Sequence, residues 1–539
     1  MSDKKYNFLF IITDQEYAHQ VLPEGLELPN HDRLKAKGVT FRNQHTVHTV
    51  CTPSRSTIYT GMHPAQTGMW DNTNFAWSSE MATDIPTIGH MLREAGYYTA
   101  FKGKWHEADF PPNGTIDAME PYGFSDFQDW GDCYGGPHDG YNLDPKIAAE
   151  ATDWLTTKGK EVAANGQNWY LTVNYVNPHD IMYYDTDGEK SVHTRGLLQI
   201  FDAPDDEVYK PKWDTELPAS FDDPRTQHPP EVEYYKGYVD QTNGRVPHDR
   251  LDLWHNNVNY YLNCMRDVDH HIGAVLDALE ESGQADNTII IFTSDHGEMA
   301  GAHGLRQKAS IAFKEVVNVP FIVIHPDGPK GVFTDAIGSH VDITPTLLSY
   351  AGVSADERKQ RYPQLVGHDL SGVVADPASD GPRGSSQNPG MGALMTYDMI
   401  STIDSEWLFK NAVKLFDQAA EAAGVELERD LAKLAKEVEK PDPKNWNMYR
   451  AVFDGRYKLV RYFGINNYNT PETITELFEN NHVALYDLLS DPDEVNNLAN
   501  PDNPDYDEEL LVRVNAKLNA LIAAEIGEDK QLFEPPEVD

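Results

Sequence analysis

The sequence predicts an α/β fold, in which helices flank a large, mainly parallel β-sheet, followed by a smaller C-terminal α+β domain. Three observations predict this architecture. Apolar runs typical of buried strands recur along the first part of the chain, helical periodicity fills the intervals between them, and the composition changes after about residue 380. We therefore expect two domains, at residues 1–390 and 391–539.

Four of the apolar runs end in polar side chains that can perform chemistry. They are FLFIITDQ, ending at Asp14 and Gln15; YYTAFKGKWH, with Lys102, Lys104 and His106; WYLTVNYVNPH, ending at His179; and TIIIFTSDHGE, with Asp295 and His296. Because ligands of parallel sheets bind beyond the carboxyl ends of the strands, these four endings are expected to converge on one pocket.

Helical spacing of apolar residues separates the strands. Each helical segment is closed by a glycine, which favours the left-handed conformation at a helix C-terminus. The segments are PTIGHMLREAGY with Gly96, VNYYLNCMRDVDHHIGAVLDALEESGQ with Gly283, and VDITPTLLSYAGV with Gly352.

The C-terminal part has a different character. SDGPRGSSQNPGMG is rich in Gly, Pro and Ser and predicts a linker or long loop, and residues 404–440 predict a charged helical insertion. AVFDGRYKLVRY predicts a strand pair with a turn at Asp454–Gly455, and DEELLVRVNAKLNALIAAEIG predicts a last helix before an acidic tail.

Composition excludes several classes of protein. The formal charge of −42 argues against a nucleic-acid partner, which needs a basic protein surface. For an anionic substrate, a metal ion and a few cationic side chains would have to reverse the negative electrostatic potential at the binding site. Because there is no run of eighteen apolar residues, we expect no transmembrane helix, and the N-terminal run is interpreted as a strand rather than a signal peptide. Cys51, Cys133 and Cys264 are too few and scattered for a disulfide framework or a zinc site, which favours a cytoplasmic location.

One of these cysteines lies in an unusual stretch, HTVCTPSRSTIYTG. Thr52 and Pro53 predict the N-cap and first residue of a short helix, which Gly61 ends, so that Cys51 lies where backbone N–H groups favour anions. A lone cysteine is usually a small buried apolar residue, but the polar neighbours and Arg55 argue against that here. A cysteine-phosphatase loop would need an arginine six positions after the cysteine, where Thr57 stands, and nothing nearby indicates a papain-like pair.

CTPSRS, followed by TIYTGMHP, resembles the Cys-x-Pro-x-Arg signature of type I sulfatases, members of the alkaline phosphatase superfamily. The segments FLFIITDQ, GKWH, NPH, SDHGEMAGAHG and ALYDLLSDPDEVNNLA also resemble sulfatase segments, in the family's order, from residue 6 to about residue 500. The resemblance implies an alkaline-phosphatase-like fold with residues 1–390 as the catalytic domain. It also implies that a maturation enzyme oxidises Cys51 to Cα-formylglycine.

A metal site follows from the resemblance. Asp14, Gln15, Asp295 and His296, together with the modified Cys51, would hold one divalent metal ion. Many sulfatases have Asp and Asn where Gln15 and His296 stand, and bind calcium; the pair found here resembles the phosphonate monoester hydrolase branch. Because imidazole suits a transition metal better than calcium, both Ca²⁺ and Mn²⁺ stay open.

The resemblance also assigns roles to the cationic side chains. Arg55 would hold the aldehyde hydrate, Lys104 would contact the hydrate and a sulfate oxygen, and His106 would be the base that collapses the sulfated hemiacetal. His179 and Lys308 would hold the sulfate and assist the leaving oxygen.

Several further residues are candidates with weaker signals. Asn72 follows Cys51 at the interval at which related phosphonate hydrolases and choline-sulfatase-like enzymes place an asparagine that contacts the substrate. Asn74 is an alternative candidate for the same role. Three tryptophans could either wall an apolar leaving group or pack in the core, and the lysine directly before the GKWH segment could simply be exposed. The tryptophans are Trp70, Trp77 and Trp105, and the lysine is Lys102.

The function that this resemblance implies is hydrolysis of a small aryl or alkyl sulfate monoester, through a formylglycine hydrate and a sulfo-enzyme intermediate. The alternative is a phosphonate monoester or phosphodiester hydrolase of the same superfamily, which usually lacks the Lys-x-His pair of GKWH. A non-catalytic sulfate-ester binder is disfavoured, because every catalytic position is filled. The expected partners are the small sulfate ester and the maturation enzyme, without nucleic acid or membrane, and a homo-oligomer is expected.

Overall fold

A computed structural model of the chain describes residues 4–74, 78–186, 199–399, 447–464 and 468–528. Its main feature is a seven-stranded sheet in which only β6 runs antiparallel to its neighbours, so the predicted α/β class with a mainly parallel sheet is confirmed. The strands are β1 (Asn7–Asp14), β2 (Val39–His45), β3 (Tyr98–Gly103), β4 (Trp169–Pro178), β5 (Thr288–Ser294), β6 (Phe321–Ile324) and β7 (Val332–Ser339).

The strand order brings the four predicted strand endings together. The sheet runs β3-β4-β1-β5-β6-β2-β7, and its first four strands are the four predicted from the sequence. They are mutually parallel, so their carboxyl ends meet at one edge of the sheet. This adjacency confirms the expected convergence.

Both faces of the sheet are covered. Along β1, Phe8 and Phe10 pack into one apolar cluster, while Leu9 and Ile11 pack into another on the opposite face, as the two-residue period of a strand requires. Every residue of β1 is buried. A strand buried on both faces explains why its sequence reads as a continuous apolar run.

Helices cover both faces of this sheet, and the last two of the described helices pack in the C-terminal part of the chain instead. The described α-helices are α1 (Pro29–Lys37), α2 (Cys51–Thr60), α3 (Pro64–Thr67), α4 (Ile88–Glu94), α5 (Asp139–Thr156), α6 (Lys158–Ala164), α7 (Glu231–Asn243), α8 (Leu251–Glu281), α9 (Lys314–Val317), α10 (Ile343–Tyr350), α11 (Ala355–Arg361), α12 (Ser371–Ala375), α13 (Ile474–Asn480) and α14 (Glu508–Glu525).

Helix α8 anchors the N-terminus of α1. The Asp269 carboxylate accepts hydrogen bonds from the backbone N–H groups of Asn30 (3.1 Å) and His31 (2.8 Å), which have no partner within their own helix. The His31 ring also bonds to Asp269. The loop after β1 is thereby tied to the longest helix.

A second sheet follows in the C-terminal part. It is antiparallel, in the order β11-β10-β9-β8, and the predicted turn at Asp454–Gly455 joins β9 to β10. The charged helical insertion predicted at residues 404–440 and most of the acidic tail lie outside the described residues, and the domain limits stay a prediction. The strands are β8 (Ala393–Tyr397), β9 (Met448–Phe453), β10 (Tyr457–Phe463) and β11 (His482–Asp487).

None of the described helices combines the length and the apolar character that a membrane span needs.

Candidate active site

Helix α2 places Cys51 at its first position. The helix begins two residues earlier than predicted, because the Val50 carbonyl accepts a hydrogen bond from the Ser54 N–H (3.1 Å). The expectation that Thr52 is the N-cap is therefore wrong: its hydroxyl donates instead to the His106 carbonyl (2.6 Å). Gly61 ends the helix in the left-handed conformation, with φ 68°, as predicted.

Four predicted metal ligands meet beside this helix end. One donor atom from each of Asp14, Cys51, Asp295 and His296 lies within 4.8 Å of the others, and all four side chains are buried. The Cys51 Sγ is 3.3 Å from His296 Nε2, which is itself 3.8 Å from Asp14 Oδ1. Two carboxylates and an imidazole around one point fit a divalent cation.

Gln15, the fifth predicted ligand, lies at the same point with a fixed side chain. Its backbone is in the left-handed region, with φ 72°. Its Oε1 accepts a hydrogen bond from Lys308 Nζ (2.7 Å), and its Nε2 donates to Glu298 Oε2 (2.5 Å). Sequence reasoning missed Glu298, which stands two residues after His296 in the same loop.

Cations surround the Asp14 carboxylate. Its Oδ2 is 2.7 Å from Lys104 Nζ and 2.9 Å from Arg55 Nη2, and Arg55 Nε also binds Asp295 Oδ2 at 2.9 Å. Burial opposes ionisation of Asp14, but the nearby Lys104, His179, Lys308 and Arg55 hold its pKa well below the usual value. Arg55 thus links both carboxylates from the second turn of α2.

The two carboxylates differ in protonation. Burial and the Asp14 charge raise the pKa of Asp295 to about 7. Burial and Asp14 also raise the pKa of the Cys51 thiol, whereas a thiolate nucleophile needs a lowered pKa. The site therefore gains from a cation that compensates the crowded negative charge.

The two predicted active-site histidines are neutral. Burial, followed by Lys104 and Arg55, lowers the pKa of His106 well below its usual value, and burial followed by Lys308 does the same for His179. His106 is placed by its backbone N–H, which donates to Asp132 Oδ2 (2.7 Å). A neutral imidazole can accept a proton, as a general base must.

One cavity of about 180 Å³ opens between Cys51 and the two histidines, His106 and His179. Six of the residues singled out from the sequence line it, including both candidate asparagines. The side-chain oxygen of Asn72 also accepts a hydrogen bond from the Thr52 N–H (3.1 Å). The six are Cys51, Asn72, Asn74, His106, His179 and Lys308.

Much of the remaining cavity wall comes from segments without a recognisable motif. Tyr134 lies in the loop before α5, Met182 and Tyr183 follow β4, and α7 adds Tyr238 and Val239. No signal in the sequence would have found these residues, because their contribution depends only on where the loops fold.

Two predicted candidates lie elsewhere. Lys102 pairs with Glu150 at 3.0 Å, and Trp105 is buried in the core against Tyr59 (ring centroids 4.9 Å apart). Of the two open interpretations of Trp105, core packing is therefore the one observed. Trp77 lies outside the described residues.

A glycine missed by sequence reasoning packs against the cavity. A Cβ on Gly135 would lie 2.9 Å from the His179 ring and 3.1 Å from Lys104 Nζ, at φ 84°. A side chain at this position would intrude on two of the predicted anion-binding groups.

The sheet topology and the position of this centre, at the carboxyl ends of β1 and β5 beside a helix N-terminus, are those of an α/β protein with the alkaline-phosphatase-like fold and a candidate metal site. The family model described as Sulfatase matches residues 6–353, more than half of the chain, and the protein belongs to this family of sulfuric ester hydrolases.

Individual proteins agree with this assignment. The chain is 29% identical over 382 residues to the uncharacterized sulfatase YidJ of Escherichia coli, covering 66% of this chain and 69% of YidJ. It is 28% identical over 394 residues to the choline-sulfatase of Rhizobium meliloti, covering 66% and 70%. The phosphonate monoester hydrolase of Silicibacter pomeroyi shares the fold, with a TM-score of 0.64 at 20% identity, covering 97% of this chain and 96% of that one.

Proposed function

We propose that the protein hydrolyses small aryl or alkyl sulfate monoesters, with Cys51 converted to formylglycine as the nucleophile. The observation that carries the proposal is the position of Cys51. Its Sγ lies at the first residue of α2, 3.4 Å from Lys308 Nζ and 3.3 Å from His296 Nε2, in the cavity that also contains His106 and His179. The sulfur marks the place that a hydroxyl of the aldehyde hydrate would take.

The hydrate offers two hydroxyl groups on one carbon. The oxygen of one attacks sulfur as it loses its proton, and the S–O bond to the alcohol breaks. That proton passes through Lys308 or His179 to the leaving oxygen, so that the alcohol departs neutral. The second hydroxyl then gives its proton to His106, the bond between carbon and the sulfated oxygen breaks, and aldehyde and sulfate result. Water restores the hydrate.

Asp14, Gln15, Asp295 and His296 would hold one divalent cation beside this carbon. When bound, Ca²⁺ or Mn²⁺ would supply positive charge that favours an ionised nucleophile. Lys104 and Arg55, paired with Asp14 at 2.7 and 2.9 Å, hold the carboxylates in place and offset their charge.

The cavity supports a small substrate with a single anionic group. Among the described residues that line it, Lys308 is the only lysine and none is arginine, whereas Tyr134, Met182 and Val239 give the far wall an apolar character. A polyanionic substrate would need further cations to offset its charge in a protein with a net charge of −42. The similarity to a choline-sulfatase also favours a small alkyl sulfate.

The mass of the Cys51 peptide tests the nucleophile. Digestion of active protein is expected to give a peptide in which oxygen replaces sulfur and which reacts with an aldehyde-trapping reagent. Full activity with an unmodified thiol would contradict the proposal. A Cys51→Ser variant, which the maturation chemistry of cysteine cannot convert, is the matched control.

A second candidate activity is hydrolysis of phosphonate monoesters. Gln15 and His296 favour it, because both stand at the candidate metal centre and resemble the phosphonate monoester hydrolase branch. The test is a comparison of the turnover of p-nitrophenyl sulfate with that of a phenylphosphonate monoester. A phosphonate preference of several orders of magnitude would replace the leading proposal.

A further inference from the structure

A second group of potential metal ligands lies apart from the cavity. Asp223, His228 and His303 each direct one donor atom to a common point. Asp223 Oδ2 is 2.6 Å from His228 Nε2 and 2.7 Å from His303 Nδ1. Both imidazoles are completely buried and the carboxylate is 4% exposed. No candidate active-site residue belongs to this His₂Asp cluster.

The three residues come from separate parts of the chain. Asp223 and His228 lie in the long connection between β4 and α7, and His303 lies in the turn between His296 and Lys308. The hydroxyl of Tyr486, in β11 of the second sheet, is 2.7 Å from His228 Nδ1. The cluster therefore joins three elements that no continuous secondary structure connects.

The backbone of His303 is held in a rare conformation. Its φ of 54° lies in the left-handed region, which costs a non-glycine residue roughly 1–2 kcal/mol. This conformation lays the ring flat on Phe313, with centroids 3.9 Å apart, and points Nδ1 at Asp223. Such outliers persist where the surrounding structure needs the side chain in one place.

The neighbouring groups orient the ligands as in known metal sites. The Arg225 N–H donates to Asp223 Oδ1 (2.9 Å), which leaves Oδ2 directed at the two rings. With a metal on Nε2, His228 Nδ1 carries the hydrogen and donates it to the Tyr486 oxygen. Hydrogen bonds of this kind fix the tautomer and orientation of a ligating histidine.

We propose that Asp223, His228 and His303 form a second, stabilising Zn²⁺ site with three protein ligands and one open position. Two imidazoles and one carboxylate are a zinc ligand set, and water would complete the tetrahedron. Bonds of about 2.0–2.1 Å to zinc require the donor atoms to spread by about 0.6 Å from their present hydrogen-bonded separations. Asp222, the neighbour of Asp223 in the chain, is 88% exposed, so the cluster lies close to the surface.

The site would fasten the long connection and the second sheet to the turn that precedes Lys308. Its role is structural and does not depend on the proposed activity, since none of its ligands lines the cavity. Zinc is preferred over calcium because imidazole nitrogen is a poor calcium ligand.

Zinc stoichiometry tests the proposal. Full-length protein is stripped with a chelator, dialysed to equilibrium against Zn²⁺ and analysed for metal. His228→Gln keeps a donor for Asp223 and should bind one Zn²⁺ per chain fewer than the wild type. His248→Gln, a nearby exposed histidine paired with Asp222 at 3.2 Å, should bind as many as the wild type. Equal counts in wild type and His228→Gln would overturn the proposal, whatever the candidate active-site centre binds.

A measurement on unaltered protein removes any dependence on how the variant folds. Crystals soaked in Zn²⁺ are expected to show anomalous scattering at the zinc edge between Asp223, His228 and His303. A peak confined to the Asp14 centre, or no peak at all, would overturn the site. The melting temperature of the wild type should also rise with Zn²⁺ relative to the chelated protein.

Discussion

Glu298 fixes the orientation of the Gln15 amide. Gln15 Nε2 donates to Glu298 Oε2 over 2.5 Å, and Gln15 Oε1 accepts from Lys308 Nζ over 2.7 Å. A carboxylate can only accept and an ammonium can only donate, so the amide has one favourable orientation. The carbonyl oxygen, which can bind a cation, therefore faces the Cys51 side of the site.

Replacement of Glu298 by glutamine should weaken metal binding. The other carboxylate oxygen, Oε1, accepts the backbone N–H of Gln307 (2.7 Å), and the amide oxygen of Glu298→Gln can keep that bond. Its NH₂ then meets Gln15 Nε2 and forces the Gln15 amide to turn its own NH₂ toward the cation. We expect a loss of about 10–100-fold in metal affinity, measured by calorimetry or chelator competition.

A double variant separates orientation from general damage. Adding Gln15→Glu to Glu298→Gln restores an oxygen toward the cation and an acceptor for the new NH₂, so most of the affinity should return. Unchanged affinity in the single variant, or no recovery in the double variant, would contradict the positioning role of Glu298.

His106→Ala should trap the sulfated enzyme. If His106 takes the proton during collapse of the hemiacetal, its loss slows that step by a factor between about 10² and 10⁴ and leaves attack on sulfur largely intact. Rapid-quench kinetics should show a burst of one alcohol per active chain, and the intact mass should increase by one SO₃ group. His179→Ala is the control, since it should slow the first step without accumulation. Absence of the covalent species in His106→Ala would assign the base elsewhere.

Gly135→Ala should block the anion-binding end of the cavity. The new methyl group would lie 2.9 Å from the His179 ring and 3.1 Å from Lys104 Nζ, too close without displacement of both. Displacement on this scale is expected to lower kcat/KM by about 100-fold. Gly166→Ala is the matched control, because Gly166 has a similar φ of 78° but nothing within 4 Å of its added Cβ. Equal effects of the two substitutions on kcat/KM would show that backbone strain alone is responsible.

The His31 imidazole should make stability depend on pH. Burial opposes its charge, but Glu16 and Asp269 raise the pKa of His31 to about 9, and the ring nitrogens lie 3.1 and 2.5 Å from these carboxylates. The folded pKa exceeds the unfolded value, so the contribution is fully present below about pH 6.5 and is lost as the pH rises through about 9. Its size is on the order of 3 kcal/mol.

Denaturant unfolding across this range measures the effect. The difference in unfolding free energy between wild type and His31→Gln should be largest near pH 6 and shrink toward pH 9.5 or so. His270→Gln, at an exposed position on α8, should show no such trend. A wild-type to His31→Gln difference that is constant with pH would exclude a charged His31 in the folded protein.

The predicted site residues were accessible from sequence because their signals are local. Asp14, His179 and Asp295 each follow an apolar run, and the topology of parallel strands brings such endings to one edge. Glu298 gave no comparable signal, because a buried carboxylate that orients an amide looks in sequence like any loop carboxylate. Its role depends on a contact with a residue 283 positions away.

The two lysines of the YYTAFKGKWH run show the same limit of sequence reasoning within one strand. Spaced two residues apart, Lys102 and Lys104 would share a face of a regular strand. Gly103, however, has φ 94°, and a Cβ there would lie 2.0 Å from the Asn174 carbonyl oxygen. The chain turns at this glycine, so Lys104 reaches Asp14 while Lys102 pairs with Glu150.

By itself, the sequence determined the fold class, the strands that carry the site and the position of Cys51 at a helix start, because these follow from periodicity and short-range sterics. Only the tertiary structure decided which lysine reaches Asp14, which loops wall the cavity, and that Asp223, His228 and His303 meet. Those outcomes depend on contacts between distant segments, whose geometry is set by packing and by backbone conformations such as those of Gly103 and His303.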